Sequence, residues 1–323
     1  MDVNQLLEIL SDGEFHSGED LGLKLGVTRA AVWKRLQYLA VLDIPVEASR
    51  SRGYRIPGGM DLLNRERILA SLDPTARALL GTLLCLPEVE STNSLLMQSG
   101  GCGDVCLAER QTAGRGRRGR QWFSPYGRNL YLSVRWHFEQ GVAALEGLSL
   151  AIGVLLAETL DRIGIAGVQL KWPNDLLCGG NKLGGILIEV GGDLTGECVV
   201  VVGVGLNIFM SDVLREGAAE RIDQPWTDLK RQGFTGSRSD LCGAILSSLL
   251  PALNAYPAHG FARYQERWEK SCAYLSHPIK VILPTGSSEG ILLGVDGQGA
   301  LRVATKDGDL LFSGGEISLR SAL

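Results

Sequence analysis

Apolar residues in the first stretch of the chain recur at helical spacing: Val3, Leu6, Leu7 and Leu10, then Leu21 and Leu25, then Val32, Leu36 and Leu39 with Ala31 alongside. Steps of three and four place each set on one face of a helix. Ser17, before Gly-Glu-Asp-Leu, predicts an N-cap with acids in the first turn. Gly26 stops that helix, and Thr28 caps a third helix running to about Ala40. Helix, short glycine turn, helix is the helix-turn-helix pattern. Val46 to Ile56 then reads as two short strand pieces around Arg50, Ser51, Arg52 and Gly53, a hairpin wing with a basic tip.

Pro57, Gly58 and Gly59 read as a linker, and beyond them the period changes. Val105–Glu109, Leu130–Trp136, Val168–Lys171, Ile186–Val190 and Val199–Val204 read as strands, while 148–163, 238–253 and 261–270 read as helices. Strands mixed with helices, several strands being adjacent, predict a mixed sheet flanked by helices. From about 271 the apolar runs shorten and are split by Gly and Asp: Ile279–Leu283, Gly290–Val295, Ala300–Ala304, Leu310–Phe312 and Ile317–Leu319. That spacing predicts a small β-barrel. The fold class is therefore α+β in three regions: 1–60, 61–270 and 271–323.

Charge refines this picture. The 323 residues carry a net charge of −4, which excludes a generally basic coat for nucleic acid. Residues 24–55 nonetheless hold seven basic side chains against two acidic ones. On the third helix, Arg29, Trp33, Lys34 and Gln37 face away from the apolar stripe. Side chains of these types reach base edges and phosphates, so Thr28, Arg29, Trp33, Lys34, Arg50 and Arg52 are candidate DNA contacts. Trp33 has an alternative place, packed on a neighbouring helix. No basic-then-apolar leader opens the chain and its apolar stretches read as too short or too broken to span a membrane, so a cytoplasmic protein is expected. The seven cysteines are an odd number without CxxC spacing and are expected to be reduced; Cys102 and Cys106 are close enough in sequence to pair or share a metal.

Residues 110–128 hold six arginines and four glycines with no acid. Glycine admits close backbone approach, and arginine offers a planar fork to carboxylate or phosphate. The stretch reads either as a lid that orders over a phosphorylated ligand or as a basic patch. Other polar groups stand at strand ends. Pro173 should end a strand and splay Asn174 and Asp175 into a turn, able to hold Mg²⁺ near a phosphate or simply to turn the chain. Lys182, before Gly184 and Gly185, points into a cleft mouth or lies on the surface. Asn207 meets a ligand or caps its strand. Ser91, Thr92 and Asn93 meet a polar head group or open a helix. The GxGxxG string at 114–119 does not directly follow a strand, no GxSxG stands at a strand-to-helix elbow, and no P-loop is present, so any nucleotide site is neither Walker-type nor Rossmann-type.

Several of these pieces recur together in one family. Ser91-Thr92-Asn93, Gly114 to Arg120 with Trp122, Lys171-Trp-Pro-Asn-Asp175, Lys182-Leu-Gly-Gly-Ile-Leu, Gly205-Leu-Asn207 and Gly315 to Arg320 resemble, in order and spacing, the bifunctional biotin protein ligase and biotin operon repressor of bacteria. The resemblance implies a biotin/lipoate ligase-like central domain and an SH3-like C-terminal barrel. It implies an ATP- and Mg²⁺-dependent reaction through biotinyl-5′-adenylate, ending on a lysine of the biotin carboxyl carrier protein. It implies that Ser91, Thr92, Asn93, Gln111, Arg115, Gly116, Arg117 and Lys182 hold biotin. Arg117, Arg118, Arg120, Trp122, Lys171, Asn174, Asp175, Lys182 and Asn207 would serve ATP or the adenylate, with Lys182 and Arg117 catalytic and Asn174 and Asp175 near Mg²⁺. It also implies a homodimer formed on binding biotinyl-AMP and bound to operator DNA. A ligand-sensing transcription factor without catalysis and a lipoate-type ligase are the alternatives.

Overall fold

The structure is a computed structural model that describes residues 3–192, 196–210, 222, 224–283, 286–313 and 318–321. Gly315, Glu316 and Ile317 of the last sequence motif lie outside the described residues.

Helices α1 (Asn4–Leu10), α2 (Gly18–Leu25) and α3 (Arg29–Val41) are followed by the hairpin β1 (Glu47–Ser49) and β2 (Gly53–Arg55). The predicted caps form: Ser17 Oγ accepts from Asp20 N–H and Thr28 Oγ1 from Ala31 N–H, and Gly26 takes the left-handed conformation after α2. Val3, Leu6, Leu7, Leu10, Leu21, Leu25, Val32, Leu36 and Leu39 form one buried cluster. Two members of that cluster come from beyond the hairpin: Met60 in the linker and Tyr126 at the end of the arginine-rich stretch.

The central region contains α4 (Arg65–Ala70), α5 (Pro74–Leu79), β3 (Leu83–Leu86), α6 (Thr92–Gln98), β4 (Val105–Ala108), β5 (Asn129–Phe138), α7 (Leu148–Arg162), β6 (Val168–Lys171), β7 (Asp175–Cys178), β8 (Asn181–Gly192), β9 (Cys198–Asn207), α8 (Arg238–His259) and α9 (Gln265–Ser271). Its seven-stranded sheet has the order β3-β4-β5-β9-β8-β7-β6, with β3 and β4 parallel and the other pairs antiparallel. Alternation along the strands sends Val105, Leu107, Val200 and Val202 into the main core, and Cys106 and Val201 into a separate cluster with Leu96 of α6. Helices α7 and α8 pack on the first face and α6 on the second. The second face is therefore largely open, and it carries the cleft described below.

Several elements depart from expectation. Asp175 is not in a turn: it opens β7, paired with Lys171, so the turn is confined to the residues between them. The pairing of Leu170 with Leu176 extends the strand pair up to that tight turn, which a local reading of Pro-Asn-Asp does not reveal. Helix α8 continues to His259 with Pro251 and Pro257 inside it, because its apolar side remains buried through Tyr256. By length and mean hydropathy (1.7 and 1.3), 142–162 and 238–259 would suffice to cross a membrane, contrary to expectation. They are core helices here, α7 against α8 and β6, with half of each hydropathy window buried. Cys106 is buried and Cys102 exposed; all seven cysteines are free.

The C-terminal strands β10 (Pro278–Leu283), β11 (Gly286–Val295), β12 (Leu301–Thr305), β13 (Gly308–Phe312) and β14 (Ser318–Ser321) form an antiparallel sheet in the order β13-β12-β11-β10-β14. This arrangement is consistent with a small barrel. Trp172 Nε1 donates to Gly299 O at 3.1 Å, tying this sheet to the turn before β7.

The linker is fixed by a buried arginine. Arg238, at the start of α8, is fully buried and donates to Asp61 O, to Asn129 O at 3.0 Å and to Glu109 Oε2 at 2.7 Å. Glu109 Oε1 in turn accepts from Leu63 N–H at 2.6 Å. A buried charge of this kind is tolerated because its donors are satisfied and its partner is ionised.

Candidate active site and DNA-facing surface

A cleft of about 730 Å³ lies on the open face of the central sheet. Its walls are the start of α6, β5, β8, β9, the turn before β7, the arginine loop and residues 224–226. Every cleft residue singled out from sequence, from Ser91 to Asn207, lines it. The volume is that of an ordinary small-ligand site.

One end is a polar pocket. Ser91 is an N-cap, its Oγ accepting from Ser94 N–H at 3.3 Å. Thr92 donates through N–H and Oγ1 to Gln111 Oε1, at 2.9 and 3.1 Å. Asn93 Nδ2 donates to Glu189 Oε2 at 2.8 Å, and Ser133 Oγ donates toward Asn93 Oδ1 at 2.6 Å. Ser133 Oγ also lies 2.7 Å from Thr92 Oγ1. Ser91, Thr92 and Asn93 are all buried. Hydroxyl and amide groups with fixed partners present a preset array of donors and acceptors. Gly203 makes the room, since a Cβ there would stand 2.3 Å from Asn93 Oδ1.

The other end is charged. Lys182 Nζ pairs with Asp175 Oδ1 at 2.7 Å and sits 5.6 Å from the Trp122 ring centroid. The shift of register between Leu176 and Leu177 falls opposite this lysine. Trp122 lies across Gly205, where a Cβ would come within 2.6 Å of the ring, and its Nε1 is buried without a hydrogen-bond partner. The arginine loop folds back on itself: Trp122 N–H donates to Gly114 O, Gly116 N–H to Arg120 O, and Arg117–Gly119 form a single 3₁₀ turn with Arg118 at φ 60°. Arg117 Nη1 reaches Asn174 Oδ1 at 3.4 Å. Burial, and then the charge of Arg118, lower the pKa of Arg117, with Asp175 opposing them. An arginine whose charge is disfavoured in this way gains from a bound anion. Arg120 and Lys171 also line this end. Asn207 is buried, and its Nδ2 donates to Thr227 O at 3.1 Å, bracing the segment that pairs with the Lys182 backbone.

Among the described residues, no group of three or more His, Cys, Asp or Glu could hold a metal ion. Among the described residues, Asp175, already paired with Lys182, and Asn174 Oδ1 offer oxygens to a cation at this end. Mg²⁺ commonly takes one or two carboxylates and completes its shell with water and phosphate oxygens. The donor set thus fits a cation that arrives with a polyphosphate, and not a resident ion.

Sequence reasoning assigned no role to Glu189 or Ser133, read Gly203 with Gly205 as thinning the cleft wall, and left the adenine contacts around Trp226 open. Trp226 lines the cleft, and the Arg231 guanidinium stacks 4.5 Å from its ring centroid. Glu189 and Ser133 carry no local signal; strand register brings them to the site.

On the N-terminal region, Arg29, Trp33, Lys34 and Gln37 are exposed on α3, with Trp33 58% accessible, so the alternative of Trp33 packing on a neighbour does not hold. Arg50 and Arg52 are exposed at the hairpin tip. Arg52 stacks 3.9 Å from the Phe15 ring centroid, which restricts a side chain that would otherwise sample many rotamers.

Comparison with known proteins agrees with this layout. A biotin/lipoate A/B protein ligase family profile matches residues 87–207, an HTH domain profile residues 3–55, and a biotin protein ligase C-terminal domain profile residues 277–320. The chain is 42% identical to the bifunctional ligase/repressor BirA of Escherichia coli over 98% of its own length and 97% of the relative's. It is 35% identical to the biotin–[acetyl-CoA-carboxylase] ligase of Paracoccus denitrificans, over 67% of this chain and 91% of that one. The solved biotin protein ligase from Aquifex aeolicus in complex with biotin and ATP superposes with a TM-score of 0.65 at 30% identity, covering 75% of this chain and 99% of that one.

Proposed function

Because the chain belongs to the family of bifunctional biotin ligase/repressors, we propose that it joins biotin to a protein lysine at the expense of ATP and represses transcription through its helix-turn-helix. One observation carries the reading: a buried, pre-oriented polar pocket and a cluster of cations share a single cleft.

In the first step a biotin carboxylate oxygen attacks the α-phosphorus of ATP. The new O–P bond forms as the bond to pyrophosphate breaks, giving biotinyl-5′-adenylate. Two anions must meet, so positive charge has to stand between them. Lys182, steered by Asp175, is suited to bridge the carboxylate and the α-phosphate, and Arg117, Arg118 and Arg120 to balance charge building on the phosphoryl oxygens. Mg²⁺ beside Asp175 and Asn174 would supply further charge neutralisation when bound. The polar pocket of Thr92, Asn93 and Gln111 suits the ureido ring of biotin, and Trp122 with Trp226 offers flat apolar walls to the nucleotide. In the second step the ε-amine of an acceptor lysine attacks the acyl carbon, AMP leaves, and the amine loses its proton to solvent or a nearby base. The acceptor is of the carboxyl-carrier class.

The adenylate is a mixed anhydride that water destroys, so a loop closed over it preserves it between the steps. If that closed loop also completes a homodimer surface, two copies of α3 face a two-fold operator, and adenylate and DNA strengthen each other's binding. Incubation of the protein with biotin, MgATP and a carrier domain, read by mass spectrometry, tests the catalytic half. A gain of one biotinyl group on a carrier lysine, with release of pyrophosphate, is expected. No transfer, or equal transfer of lipoate, overturns it.

A further inference from the structure

Glu189 belongs to none of the sequence motifs. It lies on β8 opposite Val201, on the sheet face that carries the cleft. Its carboxylate joins three segments that are distant in sequence. Oε2 accepts from Asn93 Nδ2 at 2.8 Å, and Oε1 and Oε2 stand 2.9 and 3.0 Å from Arg115 Nη2. The same arginine nitrogen donates to Ser94 Oγ at 2.8 Å. The Glu189 side chain is 26% accessible and that of Arg115 45%, so the pair is only partly screened.

Two consequences follow from the chemistry of an ionised carboxylate, which accepts hydrogen bonds and donates none. Asn93 must turn its NH₂ toward Glu189, which turns its Oδ1 toward Ser133. The orientation of the amide in the polar pocket is thereby set from β8. Arg115, meanwhile, has its charge matched within the protein. Burial and the neighbouring Arg118 weigh against the charge of Arg117, with Asp175 opposing them. Arg115 thus fastens the first limb of the arginine loop. The second limb has its own fastening, where Tyr131 Oη donates to Pro125 O at 2.9 Å and Tyr126 is buried among the N-terminal helices.

We infer that Glu189 is a positioning residue: it anchors the first limb of the arginine loop through Arg115 and, with the same carboxylate, holds the Asn93 amide in its binding orientation. The inference deepens the proposed function, on which it relies only for what the loop covers.

Ligand-free proteolysis tests the anchor directly. Trypsin cleavage after Arg117, Arg118 and Arg120 is followed by mass spectrometry in the parent, Glu189→Gln, Arg115→Gln and the double variant, with thermal melting confirming that each is folded. Glutamine at 189 keeps an acceptor for Asn93 and the side-chain volume but loses the charge. Each single variant is expected to speed loop cleavage about three- to tenfold, the range of a partly screened charged hydrogen bond. The double variant should be no faster than the faster single one, and high salt should accelerate the parent but not Glu189→Gln. A folded Glu189→Gln protein cleaved at the parental rate, or single effects that multiply in the double variant, overturns the anchor. Dissociation of biotinyl-adenylate, measured in parallel, should quicken by a similar factor in Glu189→Gln. If the parent itself neither forms nor retains the adenylate, the proposed function fails, while the ligand-free cleavage rates still decide the role of Glu189.

Discussion

Replacing Gly203 with alanine tests whether the polar pocket works through a fixed Asn93. The added Cβ would stand 2.3 Å from Asn93 Oδ1 and 3.0 Å from its Cγ and Nδ2. Ordinary contact begins near 3.4 Å, so the overlap exceeds 1 Å at an atom that cannot retreat. Asn93 is buried and tied to Glu189, Leu187 O and Ser133. Moving it breaks two or three hydrogen bonds, each contributing about 0.5–1.5 kcal/mol net. A loss of about 2–3 kcal/mol in biotin binding is expected, roughly 30- to 150-fold in Kd. Isothermal titration with biotin measures it. Gly191→Ala is the control on the neighbouring strand: its Cβ would meet only the terminal Cε of Met97, at 2.9 Å, at the end of a flexible side chain. It should bind biotin within about twofold of the parent, since surface-like substitutions usually stay within about 0.5 kcal/mol. If Gly203→Ala binds biotin as tightly as the parent, Asn93 is not part of the biotin pocket, or the pocket is far softer than its hydrogen bonds imply.

Other consequences can be checked as simply. Arg238→Met leaves Glu109 buried without its countercharge and should cost about 3–5 kcal/mol in urea denaturation; a loss below about 1 kcal/mol would mean the linker network contributes little. Arg29→Ala and Lys34→Ala should each lower the salt dependence of DNA binding by about one unit of slope, if these side chains reach phosphates, and an unchanged slope excludes them. Among the thiols, Cys102 should alkylate first near neutral pH, because burial pushes Cys106 up to about 12 and Cys85 up to about 11. The thiolate is the reactive form, so labelling of those two should quicken only as pH rises toward these values; fast labelling of Cys106 at neutral pH would show that β4 opens readily.

Local signals in the sequence were reliable where a single residue type has a single physical use. Ser17, Thr28 and Gly26 punctuate the N-terminal helices as their chemistry requires, and the stripe from Val32 to Leu39 marks the buried face of α3. The glycines and charges at strand ends each left a bland reading open, Lys182 a surface charge and Asn207 a strand cap, and only their order and spacing together pointed to a cleft. Long-range register was not legible. Nothing near Glu189 or Ser133 announces that β8 and β5 will place them against α6, and Asp175 looks like a turn residue until β7 pairs with β6. Length and hydropathy likewise fail to separate α7 and α8 from membrane spans, because a helix buried in a core and one in lipid need the same side chains.

The placement of Tyr126 bears on how the two halves of the molecule communicate. It lies a few residues beyond Trp122, belongs to the buried cluster of the N-terminal region, and is followed by Gly127, where Met60 Sδ lies so close that a Cβ would be 2.5 Å away. The end of the loop over the cleft and the region whose helix α3 carries Arg29 and Lys34 therefore share one buried cluster and are not joined by the linker alone. Packed cores respond to displacement by repacking and not by gradual deformation. A ligand that shifts the Pro125–Gly127 end of the loop must either leave the Tyr126 contact intact, in which case the N-terminal region moves with it, or break it and expose apolar surface. If occupancy of the cleft shifts α3 by the first route, reciprocity requires DNA bound at α3 to alter the hold on the ligand by the same factor, and equal adenylate dissociation rates with and without operator DNA would refute the coupling.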